Sequence, residues 1–397
     1  MKILQLCTRV PYPFKDGYSI AVNAISKGLV KTGSDVRIMA LNTQQHYVNY
    51  EDLPQDYLET YKPILVDIDT KVKLLPAFFN LFTNKSYNIE RFRSKKFKEE
   101  LAELLNNEDF DIVQFESLYT TPYLETVRKY SKAKVILRAH NIENLIWERR
   151  VIEEKNPLKK WYLKLLTKRL SKYEEKIINQ FDGIAAISEI DEKYFREMGC
   201  KVHIDTIPIG IDFNFLKRKF PEPEPHTLCF IGILDWMPNV DGLLWFLNDV
   251  WHIVHERFPD IKFYIAGKHS EKITAKLNYP NVIVIGEVED AYDYISSKEI
   301  MLVPIRYASG TRVKIIEAMA LGKVIITTSV GVEGIKAFNE KEIMIADTPG
   351  TFAEAIGKCL NDHNICSRIS NNAIEFAHNN FNNDIIIGNL IRFYESL

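Results

Sequence analysis

Two α/β domains, each a doubly wound parallel sheet of the Rossmann type, are predicted for this chain by three observations. Apolar strand-like runs alternate with helical patterns almost from end to end, the signature of parallel sheets covered by helices on both faces. The chain has 397 residues, too many for one ordinary core. The alternation also halts at a proline- and charge-rich stretch and then starts again.

In order, Ile3–Leu6 reads as a strand, a loop runs through Gly17, a helix covers about 19–31, and Val36–Leu41 is the next strand, together a βαβ unit. Ile112–Phe115, Val135–Leu137 and Gly183–Ile187 continue the series. Phe213–His226 interrupts it with Lys217-Arg-Lys-Phe-Pro-Glu-Pro-Glu-Pro-His226. A second series follows at Leu228–Ile231, Phe263–Ala266, Val282–Ile285, Met301–Pro304, Val324–Thr327 and Ile343–Ala346. The expected domains are 1–211 and 227–380, joined by a linker at 212–226. The last segment, 381–397, reads as a helix that could pack back on the first domain.

Bulk composition narrows the function. Hydrophobic residues make up 46% of the chain, which suits a globular fold. Lys and Arg number 51 against 53 Asp and Glu, so no global affinity for nucleic acid or another polyanion is implied. Cys7, Cys200, Cys229, Cys359 and Cys366 are odd in number and lack Cys-x-x-Cys spacing, which argues against a disulfide framework or structural zinc. The apolar run at the N-terminus is too short for a signal peptide, and no stretch reaches the roughly 20 apolar residues of a membrane span. A cytoplasmic protein is expected, with peripheral attachment to a membrane left open.

In such sheets ligands bind beyond the carboxyl ends of the strands. Gly17, His140, Ser188, Gly232, Gly310 and Gly331 fall there. The densest constellation is Ser309-Gly-Thr-Arg-Val-Lys-Ile-Ile-Glu-Ala-Met-Ala-Leu-Gly322. The loop Ser309-Gly310-Thr311 follows a buried strand and opens a helix near Thr311. Arg312 and Lys314 then fall in its first turn, where the helix dipole disfavours cations. They make sense if an anion sits among the free amides. Glu317, one turn on, adds a carboxylate for hydroxyl groups. Phosphate and sugar contacts within one turn point to a nucleotide-sugar site. The competing reading is an exposed helix with a Lys314–Glu317 ion pair.

Elsewhere, Gly17 permits close approach of a diphosphate or simply forms a turn with Asp16. The dinucleotide pattern G-x-G-x-x-G is absent, which disfavours nicotinamide or flavin. His140, in Arg138-Ala-His-Asn-Ile-Glu143, is positioned for a sugar or acceptor hydroxyl, or is structural. No metal-ligand spacing surrounds it. Gly232 and Gly331 suit close backbone contact with a ligand, and Trp236 is expected in the core. Residues 149–176 carry ten Lys/Arg against four Glu, interleaved with Trp161, Tyr162, Leu163, Leu165 and Leu166. That stretch, and Leu74–Phe82 followed by Lys95-Lys96, would suit an anionic membrane surface or a helix packed on its own domain.

Taken together, the chain resembles a family-4 retaining glycosyltransferase of GT-B architecture over nearly its whole length. The likeness rests on the first strand and Gly17 loop, Leu137-Arg-Ala-His140, Ile207-Pro-Ile-Gly-Ile-Asp212, Phe230–Asn239 and, most specifically, Ser309–Gly322. It is especially similar to bacterial cell-surface polysaccharide transferases carrying Ser-Gly-Thr-Arg-x-Lys-x-x-Glu-Ala-Met-Ala. The resemblance implies two domains facing a cleft, an N-terminal one for the acceptor and a C-terminal one for the nucleotide sugar. It implies transfer from a nucleotide-diphosphate sugar to a glycan or lipid-linked glycan, with retention, no metal and no cofactor. Glu317 matches the glutamate that holds the ribose, His140 the histidine near the transferred sugar, and Gly17 the glycine beside the diphosphate. Two features depart from the pattern. Ser309 stands where the family has its first glutamate, and Ile233 and Pro238 stand where it has an Arg and a Lys. Arg312 and Lys314 are then expected to neutralise the diphosphate. A nucleotide-sugar epimerase of the same fold and a non-catalytic nucleotide-sugar-binding protein remain as alternatives.

Overall fold

The computed structural model describes residues 1–14, 16–271, 278–308 and 310–397. The chain forms two compact units, Met1–Gly210 with Asn383–Leu397, and Ile211–Asn382.

The first unit is built on a seven-stranded sheet in the order β3-β2-β1-β4-β5-β6-β7. Its strands are β1 (Lys2–Cys7), β2 (Asp35–Thr43), β3 (Ile64–Ile68), β4 (Ile112–Phe115), β5 (Lys134–Ala139), β6 (Gly183–Ala186) and β7 (His203–Thr206). Every pairing is parallel. The two-residue period of a strand divides the side chains between two cores. Leu4 and Leu6 of β1 join Met39 and Leu41 on one face, while Ile3 joins Ile38 and Ala40 on the other.

Expectation and structure part at the sheet edges. β3 and β7 leave no clear mark in the sequence, because Asp67, His203 and Asp205 interrupt their apolar runs. Both are edge strands, where one flank lacks a neighbour and polar side chains are tolerated.

The C-terminal helix Asn383–Glu395 belongs to this first unit. Ile386, Ile387, Leu390, Phe393 and Tyr394 are buried with Val22, Ile25 and Leu29 of the helix Gly17–Lys31. Gly28 makes the approach possible, since a Cβ there would lie 2.4 Å from Ile387 Cγ1. Asn383 Nδ2 donates to the Ala24 carbonyl at 2.8 Å, and Lys31 pairs with Asp384 at 2.6 Å.

The second unit holds a six-stranded sheet in the order β10-β9-β8-β11-β12-β13. Its strands are β8 (Glu224–Ile231), β9 (Lys262–Ala266), β10 (Val282–Gly286), β11 (Lys298–Val303), β12 (Val324–Thr327) and β13 (Met344–Ile345). All pair in parallel. β8 starts inside the stretch expected to be linker, because Glu224 is held by Lys262 at 2.9 Å and Lys298 at 3.4 Å. Trp236, expected in the core, is instead 42% exposed at the N-cap of the helix Met237–Trp245. No helix among the described residues is long and apolar enough to cross a membrane.

Candidate functional site

Each sheet reverses its winding once, and the carboxyl ends of the strands flanking that point form a ready crevice. In the second unit those strands are β8 and β11. β8 delivers Gly232, and β11 leads through Gly310 and Thr311 into the helix Val313–Ala320. Gly310 sits at φ +79°, a left-handed conformation that glycine adopts without strain. Ser309 lies outside the described residues. The helix begins two residues later than expected, with Arg312 at its N-cap, whose side chain makes no capping hydrogen bond.

Lys314 stands at this winding reversal. Its ammonium donates to the Ile231 carbonyl, at the end of β8, and to Asn239 Oδ1, both at 3.1 Å. It also lies 5.0 Å from the centre of the Phe230 ring. Asn239 is locked in turn, its Nδ2 donating to the Ile233 carbonyl at 3.0 Å. Gly232 leaves room for this, since a Cβ there would meet Asn239 Nδ2 at 2.7 Å. Loss of solvation, reinforced by neighbouring Arg312, pushes the Lys314 pKa down to about 7.

Arg312 is held by a neighbouring loop. Its guanidinium is buried and turned onto the loop after β12, with Nη2 donating to the Val330 carbonyl at 2.7 Å and Nε to Gly331 at 3.3 Å. Glu333 lies 3.6 Å away. Arg312 therefore shapes the loop that carries Gly331. A Cβ on Gly331 would fall 2.0 Å from Thr327 Oγ1, so the backbone itself fills that place.

Glu317 is buried and accepts the Tyr292 hydroxyl at 2.7 Å, and burial pushes its carboxyl up to about 7. Lys314 and Glu317 thus have separate partners within the unit, and the exposed, salt-bridged helix is not what forms. Thr311 Oγ1 is buried and has no hydrogen-bond partner among the described residues. Such a hydroxyl carries a desolvation cost that a ligand oxygen could relieve.

In the first unit the winding reverses between β1 and β4. Gly17 opens the helix Gly17–Lys31, but Asp16 caps it, accepting the N–H of Tyr18 at 3.0 Å and of Ser19 at 3.1 Å. Arg9 binds the same carboxylate at 2.5 Å and stacks 4.9 Å from the Tyr18 ring.

His140 follows β5, nearly buried, with Nε2 2.9 Å from Glu116 Oε2. Glu116 is wholly buried and also receives Nε2 of Gln5 at 2.8 Å and Nε2 of Gln114 at 2.5 Å. Gln5 Oε1 accepts the Ser26 hydroxyl at 2.6 Å, and Gln114 Oε1 accepts the hydroxyl of Tyr394. With both amides satisfied at each end, Glu116 is left as acceptor only, and His140 donates from Nε2. Arg138, two residues earlier, supports the backbone through the Ile207 and Pro208 carbonyls at 3.1 and 3.2 Å.

Glu116, Asn239 and Tyr292 are site residues that sequence reasoning misses. Glu116 directly follows β4, so the strand-end rule could have found it. Tyr292 leaves no such signal.

The description "Glycosyltransferase Family 4" matches residues 16–215, and "Glycosyl transferases group 1" matches 225–362. The chain belongs to glycosyltransferase family 4. A Klebsiella pneumoniae relative, an "uncharacterized 44.6 kDa protein in cps region", is 25% identical to this transferase over 402 residues, covering 98% of this chain and 99% of its own. Among solved structures, the sucrose-phosphate synthase of Thermosynechococcus elongatus superposes with a TM-score of 0.71 at 16% identity, covering 100% of this chain and 99% of that one. Anabaena HepE in complex with UDP gives 0.68 at 12% identity, with both chains fully covered. TarM gives 0.71 at 12% identity, covering 99% and 98%. The two parallel-sheet units have the GT-B fold of these neighbours.

Proposed function

We propose that this transferase moves a sugar, with retention and without a metal, from a nucleotide-diphosphate donor to a hydroxyl of a glycan or lipid-linked glycan in cell-surface polysaccharide synthesis. In this reading residues 1–211 take the acceptor and 227–380 the donor. The observation that carries it is Lys314, a poorly solvated ammonium at the winding reversal of the second sheet, in the first turn of a helix whose N-cap side chain makes no capping hydrogen bond. The diphosphate of the donor lies there, against Lys314, the first amides of Val313–Ala320, Gly310 and the Thr311 hydroxyl. Glu317, positioned by Tyr292, accepts hydrogen bonds from the ribose hydroxyls. Gly232 and Gly331 let the backbone approach the nucleotide, and Ser309 takes the place of the family's first glutamate at the donor sugar. His140 contacts the transferred sugar and Gly17 lies beside the diphosphate. Arg312 acts through the 330–331 backbone.

Departure of the nucleotide builds negative charge on the diphosphate and positive character on the sugar ring. Lys314 and the helix amides stabilise the first without reorganising. Attack by the acceptor hydroxyl on the face the diphosphate leaves from accounts for retention. Support for the donor class comes from HepE, solved with UDP and with UDP-glucose. The cps region of the Klebsiella relative supports the polysaccharide role.

Thermal-shift measurements against uridine, guanosine, thymidine and adenosine diphosphates and their sugars test the donor site. A selective shift for one base, absent in Lys314→Met, is expected. No shift with any of them removes the reading. Conversion of the bound sugar nucleotide without an acceptor would instead indicate an epimerase.

A further inference from the structure

The first unit carries an apolar surface that the donor chemistry leaves unused. Val72, Leu75, Phe78, Phe79 and Phe82 from one segment, and Ile152, Leu158 and Trp161 from another, are each 54% to 80% exposed. An isolated exposed apolar side chain is ordinary, but eight of them on two neighbouring segments are not. The two segments are some seventy residues apart in sequence, and the fold brings them together. Arg169, on the helix Pro157–Ile177, donates to the Asn80 carbonyl at 2.9 Å, to Asn80 Oδ1 at 3.0 Å and to the Leu81 carbonyl at 3.0 Å. It thereby ties down the last carbonyls of the short helix Leu74–Asn80.

Below that clamp, Ala77 packs with Tyr87 and Leu166, flanked by Trp147 and Tyr162. Leu158 lies four residues before Tyr162 and eight before Leu166, so it continues the same helical stripe outward, with Trp161 three residues further on. The buried side of Leu74–Asn80 is thus fixed, and its phenylalanines face away from the fold. Phe78 stands edge-on to Phe79 and Phe82 at 6.0 and 5.5 Å.

Charge decides what covers this surface. Exposed Lys71, Lys73 and Lys85 flank the first segment, and exposed Lys155 and Lys159 the second. Asp69, Glu90 and Glu154 pair with Lys73, Lys85 and Lys159, and five lysines against three carboxylates leave the rim net positive. Lysine is depleted from the cores of protein–protein interfaces. Phenylalanine and tryptophan ringed by lysine is instead the composition of segments that rest in the headgroup region of an acidic bilayer. We infer that the surface formed by residues 72–82 and 152–161 docks this transferase onto an anionic phospholipid bilayer, with the aromatic tips inserted and the lysines against lipid phosphates.

Co-sedimentation of the full chain with vesicles tests this directly. Vesicles of phosphatidylcholine with phosphatidylglycerol should pellet the protein, phosphatidylcholine alone should not, and added salt should weaken the binding. The double variant Phe78→Asp/Phe79→Asp, and separately Trp161→Glu, should each weaken binding roughly tenfold or more. Because these side chains are exposed, the melting temperature and nucleotide-induced thermal shift should stay at wild-type values. That readout separates failure of the docking surface from failure of the donor site. Equal binding to both lipid compositions overturns the inference. So does undiminished binding of both variants, or a concentration-dependent dimer that the Phe78/Phe79 change abolishes.

Discussion

Lys314 and Glu317 have pKa values pushed in opposite directions to nearly the same point, both to about 7. A bound diphosphate favours the charged lysine, and ribose hydroxyls favour the charged carboxylate. At pH 8 Glu317 is already ionised and Lys314 mostly neutral, so nucleotide binding takes up a proton. At pH 6 Lys314 is already charged and Glu317 mostly protonated, so binding releases one. Calorimetry in buffers of different ionisation enthalpy should show this reversal of sign, and Lys314→Met should remove only the uptake at pH 8. In turnover, Lys314→Met should lower kcat/KM by about a hundredfold or more, and Glu317→Gln should weaken nucleotide binding about tenfold. Near-normal transfer by Lys314→Met would detach the lysine from the chemistry. On the other unit, Glu116→Gln replaces the oxygen that faces His140 Nε2. With the new amide oxygen kept on the Gln5 and Gln114 donors, its NH2 faces His140, so imidazole nitrogen shifts should report Nε2 as acceptor and the proton moved to Nδ1, with melting temperature little changed.

Among elements, the helix Glu143–Glu153 is held by an unusual cap. Glu174, buried on the helix Pro157–Ile177, accepts the N–H of Glu143 at 3.2 Å and of Asn144 at 3.0 Å. Burial pushes its carboxyl up to about 8 against the pull of those two bonds, and burial pushes Glu143 up to about 7. Both folded-state values exceed the ordinary carboxyl value of 4.5. Their contribution to stability is therefore complete below about pH 4.5 and is lost as pH rises through about 7 to 8. Melting temperature measured from pH 5 to 8 should fall from this source, and Glu174→Gln should flatten the fall. The Arg312 clamp makes a second test. Arg312→Met leaves the Val330 and Gly331 carbonyls without their donor and should cost about 2–4 kcal/mol in chemical denaturation.

Legibility followed the same divisions. Strands buried on both sides, such as Ile112–Phe115 and Val324–Thr327, were readable to the residue because a parallel strand in mid-sheet is an unbroken apolar run. The Ser309–Gly322 motif located the helix and its buried lysine and glutamate. It could not assign their partners, since Asn239 and Tyr292 reach the site from elements 75 and 25 residues away. The direction of Arg312 was hidden for the same reason. A cation at a helix start can face a ligand or a neighbouring loop, and only the position of residues 330–331 decides.

For the whole molecule, the C-terminal helix is part of the first core. Removing residues 383–397 would strip Ile386, Ile387, Leu390, Phe393 and Tyr394 from the first core and uncover Val22, Ile25 and Leu29, a loss on the order of 10 kcal/mol at 1.5–3 kcal/mol per large side chain. That matches the total stability of an ordinary domain. A chain ending at Asn382 should lose protection from hydrogen exchange throughout β1, β2 and β4, while the second unit keeps its own.

The backbone passes from one unit to the other twice, at 210–211 and again at 382–383, and Ile211 donates to the Phe381 carbonyl at 2.7 Å where the two passages run side by side. A single proteolytic nick at either passage therefore cannot release an intact half. After one cut the two units stay linked by the other passage, and parting them takes a second scission.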